Sequence, residues 1–170
     1  MHDLIPAILF PLLILLFGSI GGIITSKNIP NWYNKLIKPP LTPPNFVFGP
    51  VWTILYILIG ISGYLVWEKG NGFASEFKMA WTVFFVQLIL NYIWTPLFFG
   101  LHYLFAALIE ILLMDLAIYL NIYLFYSIDK NSGLLLIPYA IWVSFATYLN
   151  FGFWFYNRNK NKNDKKTLIN

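Results

Sequence analysis

Long stretches without charge dominate the pattern of hydrophobic and polar positions along the chain. Charged residues are absent from positions 4–26, 39–67, 79–101 and 131–157. A fifth apolar stretch, 103–127, is interrupted only by Glu110 and Asp115. Since a helix needs about 20 apolar residues to cross the hydrocarbon core of a membrane, each stretch is long enough for one span. The predicted spans are about 5–25, 46–67, 79–100, 104–126 and 133–156.

These stretches exclude a membrane β-barrel, because they lack two-residue alternation and are too long for its strands. With no internal repeat, the chain is predicted to form one all-α membrane domain over residues 1–170, a bundle of five transmembrane helices. Composition agrees, since 59% of the residues are hydrophobic, 20% are aromatic and only 11% are charged. These values exclude a soluble enzyme, a disordered regulator and a nucleic-acid-binding module. The absence of cysteine excludes disulfide scaffolds, thiol nucleophiles and thiolate metal sites.

Lysine and arginine predict the orientation of the bundle. Eight of them, at positions 27, 35, 38, 158, 160, 162, 165 and 166, lie in the first loop or after the fifth span, against three at 69, 78 and 130. The positive-inside rule therefore predicts an outside N-terminus and a basic cytoplasmic tail, 158–170. The Lys-, Asn- and Ile-rich composition is typical of a microbial chain. A cleaved signal peptide is the alternative for the first span, but His2 and Asp3 stand where a basic region belongs, so a retained helix is predicted.

The first loop, residues 27–45, is long and rich in apolar residues. Loops beyond about 12–15 residues are uncommon in compact proteins and are usually functional or disordered. Trp32 and Tyr33 favour burial, and prolines at 39, 40, 43 and 44 stiffen the backbone. A structured lid is predicted, with a helical turn at 32–37, Thr42 as the cap of the second span and Pro43 as its first residue. The alternative is an interfacial anchor with aromatic rings at headgroup depth.

Three tryptophans lie deep inside predicted spans, each beside a proline. The pairs are Trp52 with Pro50, Trp94 with Pro96, and Trp142 with Pro138. A proline removes a backbone hydrogen bond and kinks a helix, and the freed carbonyl must be satisfied away from lipid. An indole offers a flat face and one N–H donor. The coincidence predicts an internal cavity beneath the lid, suited to a bulky, planar, mostly apolar ligand. The alternative is that these residues serve packing alone.

Helical spacing places further residues with the deep tryptophans. Gln87 and Asn91 share a face with Trp94, Tyr56 lies one turn from Trp52, and Ala146, Leu149 and Asn150 share a face with Trp142. The asparagines have a second interpretation as hydrogen bonds between helices. Glu110 and Asp115 are functional candidates because acidic groups are costly in lipid, although their spacing does not make an acid–base pair. His102 has no second histidine nearby, so no metal site is predicted, and no cofactor is required.

Four blocks of residues resemble the translocator protein family, also called the tryptophan-rich sensory protein or peripheral-type benzodiazepine receptor family. The blocks are Trp32-Tyr33-(x4)-Lys38-Pro39-(x3)-Pro43-Pro44, Gly49-Pro50-Val51-Trp52-(x3)-Tyr56, Asn91-(x2)-Trp94-(x)-Pro96-(x)-Phe98-Phe99-Gly100 and Pro138-Tyr139-(x2)-Trp142-(x3)-Ala146-(x3)-Asn150. Together they cover nearly the whole chain. The resemblance implies a five-helix bundle, often a homodimer, with a ligand pocket under the first loop.

The resemblance also implies ligands and site residues. Members bind porphyrins such as protoporphyrin IX, cholesterol in some cases, and synthetic benzodiazepine-type ligands. The matching pocket residues are Tyr33, Trp52, Tyr56, Asn91, Trp94, Trp142 and Ala146, and the lid residues are Trp32, Lys38, Pro39, Pro43 and Pro44. The implied function is a membrane receptor or carrier for porphyrins. One alternative is an enzyme that degrades porphyrin with light and oxygen through Trp52 and Trp142. The other is a sterol- or lipid-binding regulatory or assembly partner.

The sequence differs from the family pattern at two places, and one further motif is relevant to the alternative functions. Leu41 stands where many members have tryptophan in the lid. The cholesterol-recognition pattern near the end of the fifth span is not met strictly, so a sterol is the less favoured ligand. Gly18-(x3)-Gly22 is a small-residue pair that could bring two helices together, as in an assembly partner.

Overall fold

The computed structural model describes residues 4–158, so the predicted basic tail lies outside the described residues except for Arg158. Within that range six helices follow one another: α1 Leu4–Asn28, α2 Asn45–Lys69, α3 Lys78–Thr95, α4 Leu104–Ile128, α5 Lys130–Leu135 and α6 Ile137–Asn157. Short 3₁₀ turns occur at Tyr33–Lys35 and Ser75–Phe77, and a π-helical turn at Pro96–Gly100 extends α3. The described part of the chain contains no strand.

The prediction of an all-α bundle with five membrane spans is confirmed. In the described range, five helical segments are long and apolar enough to cross a membrane, namely Leu4–Asn28, Asn45–Lys69, Ser75–Gly100, Leu104–Ile128 and Lys130–Asn157. The fifth segment consists of α5 and α6, which meet at Leu136. Pro138 lies in the first turn of α6, where its missing N–H removes no intrahelical hydrogen bond.

The start of α2 differs from the prediction. The hydroxyl of Thr42 donates to the carbonyl oxygen of Pro39 at 2.6 Å, and α2 begins at Asn45 after Pro44 in an extended conformation with ψ 145°. A residue that precedes a proline is disfavoured in the helical region, and both Thr42 and Pro43 precede one. The prediction of Thr42 as the cap and Pro43 as the first helical residue is therefore wrong. The predicted turn at 32–37 is present as the shorter Tyr33–Lys35.

Close helix packing holds the first two helices together. α1 packs against α2, α3 against α4, and α4 against α6, while α5 lies against α2 and α4. Near Gly60 of α2, a Cβ atom would collide with the backbone of Pro11 on α1. Small residues let membrane helices approach closely where lipid supplies no hydrophobic driving force. The α1–α2 contact therefore depends on Gly60.

An aromatic cluster fills the end of the bundle that lies away from the first loop. The ring centroid of Trp81 lies 4.7 Å from that of Phe73, 5.6 Å from Phe84 and 5.8 Å from Phe125. Phe84 and Phe125 stack at 5.2 Å and are both buried. Such pairs stabilise beyond the area that they bury. We call this region, with Phe10, Phe73, Trp81, Phe84 and Phe125, the closed end.

Candidate ligand-binding cavity

A cavity of about 390 Å³ lies at the opposite end, beneath the first loop. Its wall is formed by α1, α2, α6, the end of α3 and part of the loop. Among the lining residues are Tyr33, Trp52, Tyr56, Trp94, Trp142 and Ala146. Six of the seven pocket residues that the resemblance implies therefore surround one hollow, and Asn91 lies elsewhere.

Neighbouring rings hold each of the three deep indoles. Trp52 stacks on Tyr56 with centroids 5.4 Å apart, Trp94 stacks on Phe98 at 5.0 Å, and Trp142 meets Phe48 edge-on at 6.0 Å. The indoles come from α2, α3 and α6, so three walls each supply an aromatic side chain. Among the described residues, none that lines the cavity is charged. The hollow therefore suits an apolar guest with an aromatic ring system.

The three indole N–H groups differ in their hydrogen bonding. Trp94 donates to Oδ1 of Asn150 at 3.0 Å, and Nδ2 of Asn150 donates to the carbonyl oxygen of Leu104 at 2.9 Å. The N–H of Trp142 is buried, and no described residue forms a hydrogen bond with it. Within residues 4–158 no hydrogen bond engages the N–H of Trp52. The protein therefore fixes Trp94 through Asn150, while the N–H of Trp52 remains available to a ligand.

Asn91 lies beneath the cavity rather than in its wall. The hydroxyl of Tyr56 donates to Oδ1 of Asn91 at 3.1 Å, and Nδ2 of Asn91 donates to the hydroxyl of Tyr139 at 3.0 Å. Both Asn91 and Tyr139 are buried. These bonds tie α3 to α2 and α6 below Trp94. Asn91 therefore supports Tyr56, which does line the cavity, and makes no contact with the open space itself.

The cavity has an open side between α1 and α2. The residues that both line it and are exposed there are small: Ser19, Gly22 and Ser26 on α1, with Gly49 and Thr53 on α2. A Cβ atom at Gly22 or Gly49 would meet nothing within 4 Å. The hydroxyls of Ser19, Ser26 and Thr53 donate to carbonyl oxygens of their own helices. These exposed residues therefore present little free polarity at the open side.

The contribution of α1 is the part of the site that sequence reasoning missed. Gly18-(x3)-Gly22 predicts a contact between helices, and Gly18 does admit the ring of Tyr56, with which a Cβ atom would collide. Both glycines also line the cavity. The partner of Gly18 is thus α2 of the same chain. Because small-residue spacing is common in membrane helices, it could not by itself assign α1 to a cavity.

The first loop covers the cavity as a folded segment. Tyr33 is 2% exposed and lines the cavity, and this burial raises the pKa of its hydroxyl to about 12. Nζ of Lys38 lies 4.9 Å from the centroid of the Tyr33 ring. Trp32 stacks on His102 at 4.1 Å, and Nε2 of His102 is hydrogen-bonded to Oδ1 of Asn28 at 3.1 Å. The loop is thereby anchored to the turn between α3 and α4.

The remaining lid residues lie outside the cavity. Pro39 is buried against Gly152 of α6. Pro43 and Pro44 lead into α2 and do not line the hollow. Leu41 adopts φ 64° and is 78% exposed. The side chain that replaces the lid tryptophan of many family members therefore points away from the protein interior.

The two acidic residues within the spans lie outside the cavity and have different surroundings. Asp115 accepts hydrogen bonds from Ser144 at 3.2 Å and from Thr147 at 2.7 Å, both on α6. Glu110 is 7% exposed, and neither of its carboxylate oxygens has a partner within the described residues. Their separation around α4 gives no paired acid–base site.

Comparison with known proteins decides the family. The sequence pattern of the TspO/MBR family matches residues 7–155. The chain belongs to the TspO/MBR family. Tryptophan-rich protein TspO of Archaeoglobus fulgidus is 44% identical over 86% of this chain and 93% of its own length. Translocator protein of Bos taurus is 34% identical over 88% and 89%, and tryptophan-rich sensory protein of Cereibacter sphaeroides is 38% identical over 71% and 73%.

Family membership confirms the resemblance to the translocator protein family that was inferred from the sequence. It also accords with the five spanning segments, so this TspO/MBR protein is an integral membrane protein. Another relative, protein CrtK of Rhodobacter capsulatus, is 41% identical over 72% of this chain.

Proposed function

We propose that this TspO/MBR protein is a membrane receptor or carrier that binds porphyrins, such as protoporphyrin IX, in the tryptophan-lined cavity. The observation that carries the proposal is the convergence of Trp52, Trp94 and Trp142 on one hollow of about 390 Å³. Small-molecule sites have volumes of roughly 300–1,000 Å³ and are lined mainly by apolar and aromatic side chains. Flat faces from three helices favour a planar aromatic guest over a flexible chain.

The polar groups of the site suit the edge of such a guest. Within the described residues no hydrogen bond engages the N–H of Trp52. The hydroxyl of Tyr33 is protonated at neutral pH, and burial raises its pKa further, from 10.0 to about 12. Both groups are therefore donors for carbonyl or carboxylate oxygens of a bound ligand. Since the described lining residues carry no charge, ligand carboxylates would lie at the rim, where Lys38 sits over Tyr33. The porphyrin ring itself would occupy the apolar interior.

The open side offers a path for a ligand that dissolves in lipid. The gap between α1 and α2 is bordered by small residues, and the hydroxyls among them are satisfied within their own helices. A porphyrin partitioning into the membrane would meet no charged barrier there. This feature supports a receptor or carrier that exchanges ligand with the bilayer.

Porphyrin degradation is a second candidate, because Trp52 and Trp142 both line the cavity and would flank a bound ring. In that case the two indoles would act as redox partners of a photoexcited porphyrin in the presence of oxygen. Binding and degradation require the same residues. Illumination is therefore the condition that separates the two functions.

The test is an absorbance titration of the purified protein with protoporphyrin IX in darkness, repeated under light. We expect a saturable shift of the porphyrin band in darkness, and excess cholesterol should not reverse it. A spectrum identical to that of porphyrin in empty detergent micelles would contradict binding. Under light, loss of the band with a new product band, faster than for free porphyrin, would favour the enzyme. Bleaching at the rate of free porphyrin would exclude it.

A further inference from the structure

The second half of the first loop is fastened to the end of α6 by Asn157. The N–H of Ile37 donates to Oδ1 of Asn157 at 2.9 Å, and Nδ2 of Asn157 donates to the carbonyl oxygen of Ile37 at 3.0 Å. The same Nδ2 donates to the carbonyl oxygen of Phe153 at 2.8 Å, which fixes the amide on its own helix. Asn157 is 6% exposed, so water competes poorly for these bonds. One side chain thus holds both backbone groups of one loop residue.

Gly152 provides the neighbouring contact between the loop and α6. A Cβ atom at Gly152 would lie 2.5 Å from Cβ of Pro39, closer than two such atoms can approach. Tyr148, one helical turn earlier, donates its hydroxyl to the carbonyl oxygen of Pro40 at 3.2 Å. The loop reaches Asn157 because Gly152 leaves room for Pro39. We call Asn157 and Gly152 the latch.

The latch is separate from the cavity but connected to its wall. Neither latch residue lines the hollow, and residues 37–40 do not line it either. Lys38 lies within this loop segment, and its Nζ sits 4.9 Å from the ring centroid of Tyr33, which does line the cavity. The Tyr33 ring also packs on Phe99 at 5.5 Å and on Phe153, the neighbour of Gly152, at 5.1 Å. Release of the latch would therefore loosen the Tyr33 wall on the side of Lys38, while the three indoles stay in place on their helices.

We infer that Asn157 and Gly152 are positioning residues that hold the lid closed and thereby set the rate at which a porphyrin leaves the cavity. This inference rests on the proposed function, because it assigns a rate to ligand release. The gap between α1 and α2 is the competing route. Release through that gap would not depend on the latch, which makes the two routes distinguishable.

The first experiment measures ligand release. Protoporphyrin IX is bound to wild type and variants, and its transfer to excess serum albumin is followed by fluorescence. In Asn157→Leu both bonds to Ile37 are lost, so release should accelerate by about tenfold or more. Asn157→Asp keeps an acceptor for the Ile37 N–H and should accelerate release by less. Asn31→Leu, at an exposed asparagine of the same loop, is the matched control and should release at the wild-type rate.

A second variant perturbs the latch by a different physical means. Gly152→Ala keeps Asn157 but places a methyl group against Pro39, so it should push the loop away and also accelerate release.

Hydrogen exchange at the amide of Ile37 tests the latch without any ligand. We expect slow exchange in wild type and in Asn31→Leu, and faster exchange in Asn157→Leu, with the exchange of α3 and α4 unchanged. This readout distinguishes opening of the lid from unfolding of the bundle.

The outcomes are distinct. Faster exchange at Ile37 together with faster porphyrin release supports the inference. Faster exchange with unchanged release overturns it in favour of the α1–α2 gap. Unchanged exchange at Ile37 shows that there is no latch. Absence of porphyrin binding by wild type would contradict the proposed function and with it the assigned rate, whereas the exchange data would still establish whether Asn157 holds the loop.

Discussion

The two ends of the bundle contain the same kinds of side chain but arrange them differently. At the closed end, Trp81 and Phe84 are buried and meet further rings at 4.7–5.8 Å. At the cavity end, Trp52 and Trp142 are half-buried and border a hollow. The difference lies in α1, which packs tightly on Gly60 near the closed end and presents small residues to the hollow at the other. Aromatic content alone therefore does not make a ligand site. The small residues of α1 opposite the rings leave the space that forms the cavity.

The largest effect should come from breaking the tight half of the α1–α2 contact. Gly60→Ala places a methyl group against the backbone of Pro11, which cannot move aside as a flexible side chain can. We expect a loss of about 3 kcal/mol in the free energy of unfolding. Gly49→Ala is the control on the same helix, because its methyl group would meet nothing within 4 Å. Thermal unfolding in detergent measures the stability of both variants. Equal melting temperatures for Gly60→Ala and Gly49→Ala would contradict the tight packing of α1 on Gly60.

A substitution on the open half of the same helix pair should affect ligand binding and spare the fold. Gly22 lines the cavity, and apart from its own helix backbone and chain neighbours no described atom lies within 4 Å of where its Cβ would be. Gly22→Leu should therefore fill part of the hollow and weaken porphyrin binding about tenfold, or about 1.4 kcal/mol, with little change in melting temperature. Ile23→Leu, at an exposed neighbour, should bind as wild type. Undiminished affinity in Gly22→Leu would show that the ligand does not use this side.

The smallest effect concerns the lid. The pKa of Tyr33 is raised from 10.0 to about 12 by burial. An opened lid releases the Tyr33 proton near pH 10, whereas the closed lid keeps it until about pH 12, so the closed state loses stability as the pH rises between these values. The difference in tyrosinate absorbance between wild type and Tyr33→Phe should have its midpoint near pH 12. A midpoint near pH 10 would show that Tyr33 is not buried.

Much of the fold could be predicted from the sequence, because a membrane span requires a long apolar segment and the charges mark its ends. The sequence also contains the information that sets the start of α2, since Pro43 and Pro44 disfavour helical backbone in the residues before them. The prediction failed because it gave more weight to the preference for threonine as a helix cap. The break at Leu136 and the short α5 leave no mark in hydropathy. Local rules thus give the helices and only part of their boundaries.

The site was predictable only in part. Trp52, Trp94 and Trp142 lie deeper in the predicted spans than Trp67, Trp81 and Trp154, which lie near span ends, and helical spacing adds Ala146. Spacing could not tell that Asn91, on the same face as Trp94, lies under Tyr56 instead of facing the hollow. Nor does sequence reveal that Asn150 engages the N–H of Trp94, because such pairings depend on how the helices meet.

One measurement tests the central claim most directly, namely the affinity for protoporphyrin IX of two matched double variants. Trp52→Phe with Trp142→Phe removes two indoles from the cavity, whereas Trp67→Phe with Trp81→Phe removes two from the region of the closed end. Absorbance titration should show affinity reduced by at least about tenfold in the first pair, which is about 1.4 kcal/mol, and wild-type affinity in the second. Equal affinities in the two variants would contradict a porphyrin site between these indoles.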